Sequence, residues 1–324
     1  MEPTFPLFRL PENAILQVLQ NMDPNQLLII SIVSNKTKHF VTSLVLRISN
    51  VEICISDMII LKVHIETFLL ALIFYANSND QNELLSVDIT LPVSAYLPFE
   101  NTRIQSSSQF NFSDWMNHIK TVFCFSKPPS VYFREGCERF EVQSLKTAIG
   151  NVDALSVPSQ VTDAYSTEIL KCFNTPNNLI LERNPFEETH QIQQILIQNF
   201  KMFEFSSVCS LDDMLLFNSE KVRFTHPISQ KQFNRFIKHW IRGSNIRLQY
   251  MALSIDKTGS VNREEYLNGI KWMGTNLDAK KEVRRKHRID SDYVVQIKRK
   301  DGTSAVIVIE SLQNVLYVRF IVLY

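Results

Sequence analysis

The sequence predicts an α/β protein in three parts: a short helical N-terminal segment, a longer region of alternating strands and helices, and a small antiparallel addition at the C-terminus. Three observations support this prediction. Apolar residues recur at helical spacing before residue 45, and strand-like runs recur at nearly regular intervals after residue 130. Two further apolar runs flank an Asp301-Gly302 turn, which is typical of a hairpin.

The N-terminal segment, residues 5–41, has the pattern of short capped helices. Asn13 can cap a first helix. Its apolar residues share one helical face: Ile15, Val18, Leu19 and Met22. Asp23 can cap a second helix, with Pro24 at its first position and Gln26 three residues after the cap. So short a unit cannot bury all its apolar side chains alone, so the surplus must face the rest of the chain or another protein.

The same segment resembles an F-box. The resemblance rests on three motifs: Leu10-Pro11-Glu12, Asp23-Pro24 with Leu27-Leu28, and Val33-Ser34-Asn35-Lys36. Asn13 stands where the family usually has its acidic residue, and an ordinary amphipathic helical hairpin is the alternative interpretation. F-boxes dock on the Skp-type adaptor of a cullin-RING ubiquitin ligase. The resemblance therefore implies an adaptor-binding set: Leu10, Pro11, Ile15, Leu19, Pro24, Leu27, Leu28 and Val33.

The central region predicts repeated strand–helix units. Strand-like runs begin at six positions: Val131, Ala154, Asn178, Met202, Lys221 and Leu248. Their spacings of 19 to 27 residues fall in the range of about 20–29 residues found in leucine-rich repeats. No Asn or Cys recurs at the repeat's consensus place. We therefore expect a leucine-rich-repeat-like, curved α/β domain of parallel strands and right-handed crossovers, without a standard repeat sequence.

Alternation along the predicted strands separates a buried face from an open face. The predicted inward set is apolar: Leu179, Leu181, Phe203, Phe205, Val222 and Phe224. The predicted outward set mixes apolar, polar and charged residues, and we expect it to contact a protein substrate: Ile180, Glu182, Glu204, Arg223 and Thr225.

The clearest predicted helix begins after Ser229 and ends at Gly243, where a left-handed cap residue is favoured. Its apolar residues form one stripe: Phe233, Phe236, Ile237, Trp240 and Ile241. The stripe is interpreted as a core face, with an aromatic binding groove as the alternative.

Residues 211–256 resemble the type 2 F-box-associated domain of the large nematode F-box family. The resemblance rests on seven residues: Asn234, Phe236, Lys238, Trp240, Gly243, Asn245 and Leu248. The domain division it implies is an F-box at residues 5–45 and a substrate-recognition region at 46–324, with the F-box-associated domain at about 200–275. Pairing with an N-terminal F-box is that family's usual layout.

The composition excludes several function classes. The net charge of +1 predicts no general attraction to nucleic acid or to a membrane surface. The five cysteines lie far apart and predict neither disulfides nor a zinc site, so a reducing, intracellular location in cytoplasm or nucleus is expected. No signal peptide is recognisable, and the apolar run at residues 68–76 is too short to span a bilayer. No catalytic motif, metal site or cofactor site is predicted.

Two further segments carry expectations. Residues 92–112 are rich in Ser, Asn and Pro and predict a long surface loop. The basic cluster at residues 280–288 is interpreted as a solvated helix end, with a nuclear-localisation or phosphate-binding patch as the alternative.

Together these features predict a non-catalytic substrate-recognition subunit of an SCF-type ubiquitin ligase. The expected partners are a Skp-type adaptor, through it a cullin, and a protein substrate that the sequence does not name. The competing hypothesis is a protein-binding scaffold whose F-box-like helices do not engage a ligase.

Overall fold

The computed structural model describes residues 9–76, 86–106, 108–174, 176–256, 266–274, 285, 293–312 and 315–323. The chain divides into two compact units, Met1–Pro176 and Asn177–Tyr324. The N-terminal helices belong to the first unit, together with the first strands of the chain.

The first unit begins with three short helices: α1 (Glu12–Leu19), α2 (Pro24–Ser31) and α3 (Asn35–Ser43). The predicted start of α2 is confirmed, because Asp23 and Gln26 form a reciprocal capping box and Pro24 occupies the first turn. Ser34 and Thr37 form a second capping box at the start of α3. The first helix differs from the prediction, since Pro11 rather than Asn13 occupies its N-cap position.

Seven strands follow in the first unit: β1 (Ile48–Ile55), β2 (Ile59–Ile65), β3 (Phe68–Phe74), β4 (Ala95–Leu97), β5 (Thr102–Ile104), β6 (Ser130–Phe133) and β7 (Ala154–Val157). Their order in the sheet is β7-β6-β1-β2-β3-β4-β5. β6 is parallel to β1 and to β7, whereas β1 to β5 form an antiparallel meander. Three more helices complete the unit: α4 (Phe112–Val122), α5 (Val142–Ile149) and α6 (Asp163–Cys172).

One face of this sheet packs on the helices. Phe74 of β3 contacts the rings of Phe112 and Trp115 on α4 at centroid distances of 5.3 and 6.1 Å. The alternate residues along β1 and β2 are buried on the same face, from Val51 to Val63. The sheet of the first unit therefore has a single helix-covered face.

The described residues of the second unit form eight strands: β8 (Asn178–Leu181), β9 (Met202–Phe205), β10 (Lys221–Phe224), β11 (Tyr250–Asp256), β12 (Trp272–Gly274), β13 (Val294–Lys298), β14 (Ser304–Leu312) and β15 (Val315–Leu323). Their order is β12-β13-β14-β15-β11-β10-β9-β8. β8 to β11 are parallel neighbours, and the remaining strands are antiparallel. The helices between the parallel strands are α7 (Thr189–Leu196), α8 (Leu211–Leu216) and α9 (Gln230–Arg242).

The predicted strand–helix alternation is confirmed. The six predicted starts lie within two residues of the starts of β6 to β11, and the C-terminal hairpin with its third strand forms as β13, β14 and β15. The predicted loop at residues 92–112 is corrected: it contains β4 and β5, and it buries Ala95, Leu97 and Ile104. Apart from Arg285, the basic cluster at residues 280–288 lies outside the described residues.

Helix α9 forms the core contact of the second unit. Four residues of its predicted stripe are confirmed as core, because Phe233, Phe236, Ile237 and Trp240 are fully buried, whereas the fifth, Ile241, is half-buried. The ring of Trp240 meets Phe320 of β15 edge-on at 4.9 Å. Gly243 ends the helix with a φ of 116°, and its N–H donates to the carbonyls of His239 and Trp240.

We expect Trp240→Ala to lower the free energy of unfolding by about 3–5 kcal/mol, because it leaves a ring-sized cavity between α9 and β15. Chemical denaturation of the full chain measures this. Trp272→Ala is the matched control, since that ring is half exposed at 50%. An unfolding midpoint for Trp240→Ala that equals wild type would refute the core assignment.

Candidate functional site

The N-terminal helices bury most of the residues predicted to contact a partner. Among the eight, five are buried within the chain itself: Ile15, Leu19, Pro24, Leu27 and Leu28. Pro11 is exposed, Leu10 is half-buried, and the Val33 side chain is 67% exposed. The structure therefore places the eight residues on two sides of the segment. Those accessible for a partner are Leu10, Pro11 and Val33.

The buried side of α2 packs against α4. Ser31 and His118 meet there with an Oγ–Nε2 distance of 2.8 Å, and both side chains are buried. The Ser31 hydroxyl donates its proton to the carbonyl of Leu28 at 2.7 Å. Its oxygen must therefore accept from His118, which makes Nε2 the protonated ring nitrogen. Burial, aided by the positive charge of Lys38, lowers the pKa of His118 to about 4.

Additional apolar side chains remain accessible on the outer side of these helices. Val18 is 37% exposed, and Ile29, Ile30 and Ile32 are half-buried. The helical spacing of the sequence places Val18 on the same apolar stripe as Ile15 and Leu19. It does not show which apolar residues face inward and which face outward. Accessible apolar residues on adjacent helices favour contact with another protein.

Helix α9 also binds two neighbouring segments through amide side chains. Asn234 is buried, and its Nδ2 donates to the carbonyls of Tyr266 and Asn268 at 3.0 and 3.1 Å. Gln232 Nε2 donates to the carbonyl of Cys209 at 2.6 Å.

Asn245, just beyond the helix, adopts a φ of 51°. Its Nδ2 lies 2.9 Å from the carbonyl of Phe217 and 3.1 Å from that of Met214. Met214 lies in the last turn of α8 and Phe217 directly follows the helix. The Asn245 amide therefore donates to carbonyls that have no hydrogen-bond donor within α8.

The open face of β8 to β10 has the predicted alternation. All six predicted inward residues are buried, from Leu179 to Phe224, whereas the five predicted outward residues are not. Ile180, Glu204 and Arg223 are direct cross-strand neighbours. Arg223 Nη1 lies 3.5 Å from Glu204 Oε2, with the Arg223 side chain mostly exposed. Thr225 lies just after β10 and is exposed.

Two family models match separate parts of the chain. A model described as F-box domain matches residues 7–49, and a model described as F-box associated matches residues 191–253. The chain carries an F-box followed by an F-box-associated domain. The second match contains Asn234 and Trp240, which hold α9 in place, and Asn245, which binds the end of α8.

One curated relative of the F-box chain is the F-box associated domain-containing protein sdz-33 of Caenorhabditis elegans. It is 25% identical over 206 residues, and the alignment covers 63% of this chain and 63% of the relative. The match thus spans less than two thirds of the relative's length. No solved structure matches the chain.

Metal-binding groups and reactive thiols would be the chemical features relevant to catalysis in the described part of the chain. Among those residues, no three His, Cys, Asp or Glu side chains are placed to hold a metal ion. The five cysteines are unpaired thiols, and burial raises the pKa of Cys137 to about 12. No helix in the described ranges is long and apolar enough to cross a membrane.

We expect the F-box to become less stable as the pH falls, through His118. Its pKa is about 4 when folded against about 6.5 when unfolded, so neutral His118 stabilises the fold fully above pH 6.5. That contribution is lost as the pH falls from 6.5 to about 4. His118→Gln keeps an amide donor for Ser31 but does not titrate.

Thermal unfolding of wild type and of His118→Gln between pH 4 and 7 isolates the contribution of His118 to stability, because the two proteins share every other titrating group. Wild type should lose stability relative to His118→Gln over that interval. A constant difference between the two proteins would contradict the assignment.

Proposed function

We propose that this F-box protein is the substrate-recognition subunit of an SCF-type cullin-RING ubiquitin ligase. The F-box would dock on a Skp-type adaptor, and through it on a cullin, while the region after it binds a protein target. The observation that carries the proposal is the presence of an F-box and an F-box-associated domain on one chain. The accessible apolar side chains of Leu10, Pro11 and Val33 support an interface on the F-box.

The proposed role requires no chemistry from this chain. A receptor subunit raises the effective concentration of its target beside the ubiquitin-transferring components of the complex. We therefore infer a non-catalytic, intracellular protein that acts in ubiquitin-dependent degradation without a cofactor. Target binding is assigned to the leucine-rich-repeat-like strand–helix region, and its open-face residues are Ile180, Glu182, Glu204, Arg223 and Thr225.

A protein-binding scaffold without a ligase is the second candidate. It is favoured by the burial of Ile15, Leu19, Pro24, Leu27 and Leu28 inside the chain and by the Ser31–His118 contact with α4. These contacts give the F-box helices a structural role of their own. Co-purification of adaptor and cullin with the full chain separates the two candidates.

We expect Pro11→Ala combined with Val33→Asp to weaken binding of a purified Skp-type adaptor by about 30-fold or more. Central interface residues contribute about 2 kcal/mol or more each, and an aspartate would be buried unpaired. Calorimetric titration measures the affinity. Val208→Asp in the second unit is the matched control, because Val208 is 71% exposed. Unchanged affinity in a folded double variant argues for the scaffold.

We expect the exchange Glu204→Arg with Arg223→Glu to preserve folding and adaptor binding, since the ion pair is retained in reverse. The charges presented on the open face change places, so a target that contacts them meets like charges. Proximity labelling in cells compares the captured proteins. An unchanged set of captured proteins would remove these two residues from the substrate-binding set.

A further inference from the structure

The outward face of α9 is a row of cations, which we call the basic stripe: Lys231, Arg235, Lys238 and Arg242. The spacing of four, three and four residues places them on one side of the helix. Lys231, Arg235 and Arg242 are exposed and Lys238 is half-buried. The opposite side carries the buried aromatic residues that pack on the sheet. The thirteen residues of α9 include no Asp or Glu.

Considered among the described residues alone, the basic stripe places like charges side by side on one helix. Within the described part of the chain, none of its four cations has an ion-pair partner. Successive cations lie at i,i+4 or i,i+3, where like charges destabilise a helix. Lys231 also lies in the first turn, where the helix dipole disfavours positive charge. Such an arrangement is stabilised when an anionic partner neutralises it.

The basic stripe continues onto the segment that follows Tyr266. Asn234 binds this segment to α9, and Lys238 Nζ lies 3.4 Å from the position that a Cβ on Gly269 would occupy. Lys271 and Trp272 come next in the chain, and both are exposed. At the other end of α9, the N–H of Lys300 donates to the carbonyl of Ile241 at 3.0 Å, and the Lys300 side chain is exposed.

Trp272 projects on the same side of the sheet as α9. It pairs with Ile297, which pairs with Ala305. Two residues beyond Ala305, Ile307 pairs with Phe320, which contacts Trp240 of α9. Paired residues share a face, and so do residues two apart on one strand. An apolar ring that is 50% exposed therefore lies on the helix side of the sheet, next to the segment that carries Gly269.

We propose that the basic stripe, with Lys271 and Trp272, binds an acidic segment of a protein target. Carboxylates of the target pair with the four cations, and an apolar target side chain packs on Trp272. Lys231 and Arg242 are eleven positions apart, or about 16 Å along the helix, which matches three turns of an acidic helix or five residues of an extended peptide. This inference rests on the proposed recruiting function and names the class of its target.

A protein occupant fits the charges better than nucleic acid or membrane does. The whole chain has a net charge of only +1, so it lacks the broad positive field that draws polyanions to a surface. The cations form one row rather than a wide patch, and the exposed tryptophan offers the kind of aromatic anchor that is enriched at protein interfaces.

The test uses the full chain and a fluorescein-labelled, sixteen-residue helical peptide with Glu at i, i+4, i+7 and i+11 and one Leu beside the row. Anisotropy is followed at about 0.15 M salt, where weak long-range attraction is screened. The test variant is Lys231→Gln, Arg235→Gln, Lys238→Gln and Arg242→Gln. The control removes four exposed cations elsewhere: Arg47→Gln, Lys127→Gln, Lys171→Gln and Lys201→Gln.

The test variant should weaken peptide binding by about tenfold or more, and the control by less than about twofold, because only the test variant removes paired charges. Trp272→Ala alone should weaken it severalfold, which keeps the proposal testable if the fourfold variant unfolds. Equal loss in test and control variants, or no binding by wild type, overturns the proposal. The proposal is also overturned if a single-stranded oligonucleotide or phosphatidylserine vesicles bind more tightly than the peptide and this binding depends on the basic stripe. Adaptor titration of the same variant is independent, so failure here leaves the ligase proposal separately tested.

Discussion

The packing of α9 on β15 is the contact on which the second unit depends. The centroids of the Trp240 and Phe320 rings are 4.9 Å apart. The Arg299 guanidinium also contacts Trp240, at 5.2 Å from the centroid of its ring. One helix thereby connects the parallel strands to the antiparallel C-terminal strands. Its amides extend this connection to segments that lie far away in sequence, through Asn234 to residues 266–268 and through Asn245 to residues 214–217. Most residues that carry the F-box-associated resemblance therefore define the fold. Lys238 differs, because its ammonium group has no ion-pair partner in the described part of the chain.

A comparable constraint operates at the F-box. Ser31 and His118 form a buried polar contact between α2 and α4, and each satisfies the other. Breaking a buried hydrogen bond of this kind destabilises the protein, because it leaves a buried polar group unsatisfied. The contact therefore gives α2 a defined orientation on α4. The faces of α1 and α2 that pack inward cannot at the same time contact an adaptor. Any adaptor surface must therefore be formed by the outer residues, such as Pro11, Val18 and Val33.

The sequence predicts the second unit better than the first. The strands β8, β9 and β10 alternate strictly between buried and less buried residues, and α9 has a start signal, a stripe and a terminal glycine, so local patterns suffice to define these elements. β4 and β5 have three residues each, which is too few for a periodic pattern. They also lie in a segment, residues 92–112, whose Ser, Asn and Pro residues are typical of a loop. Helix α4 is also not predicted from the sequence, although Asn111 and Asp114 form a capping box at its start. For the adaptor set, the pattern identifies apolar residues but not the side they face, because α4 lies about 80 residues away in the chain.

The two candidate surfaces of the second unit differ in what a partner would gain. On the open face, Arg223 already has Glu204 at 3.5 Å, so a target carboxylate has to replace an existing partner. Exchanging one exposed ion pair for another changes little free energy, since such pairs contribute about 0–1 kcal/mol. On α9 the cations have no described partner and repel one another, so an acidic target both forms new pairs and removes repulsion. Under the proposed target binding, electrostatic selection would therefore fall mainly on α9, and the open face would add the Glu204–Arg223 pair and the steric pattern of its alternating side chains.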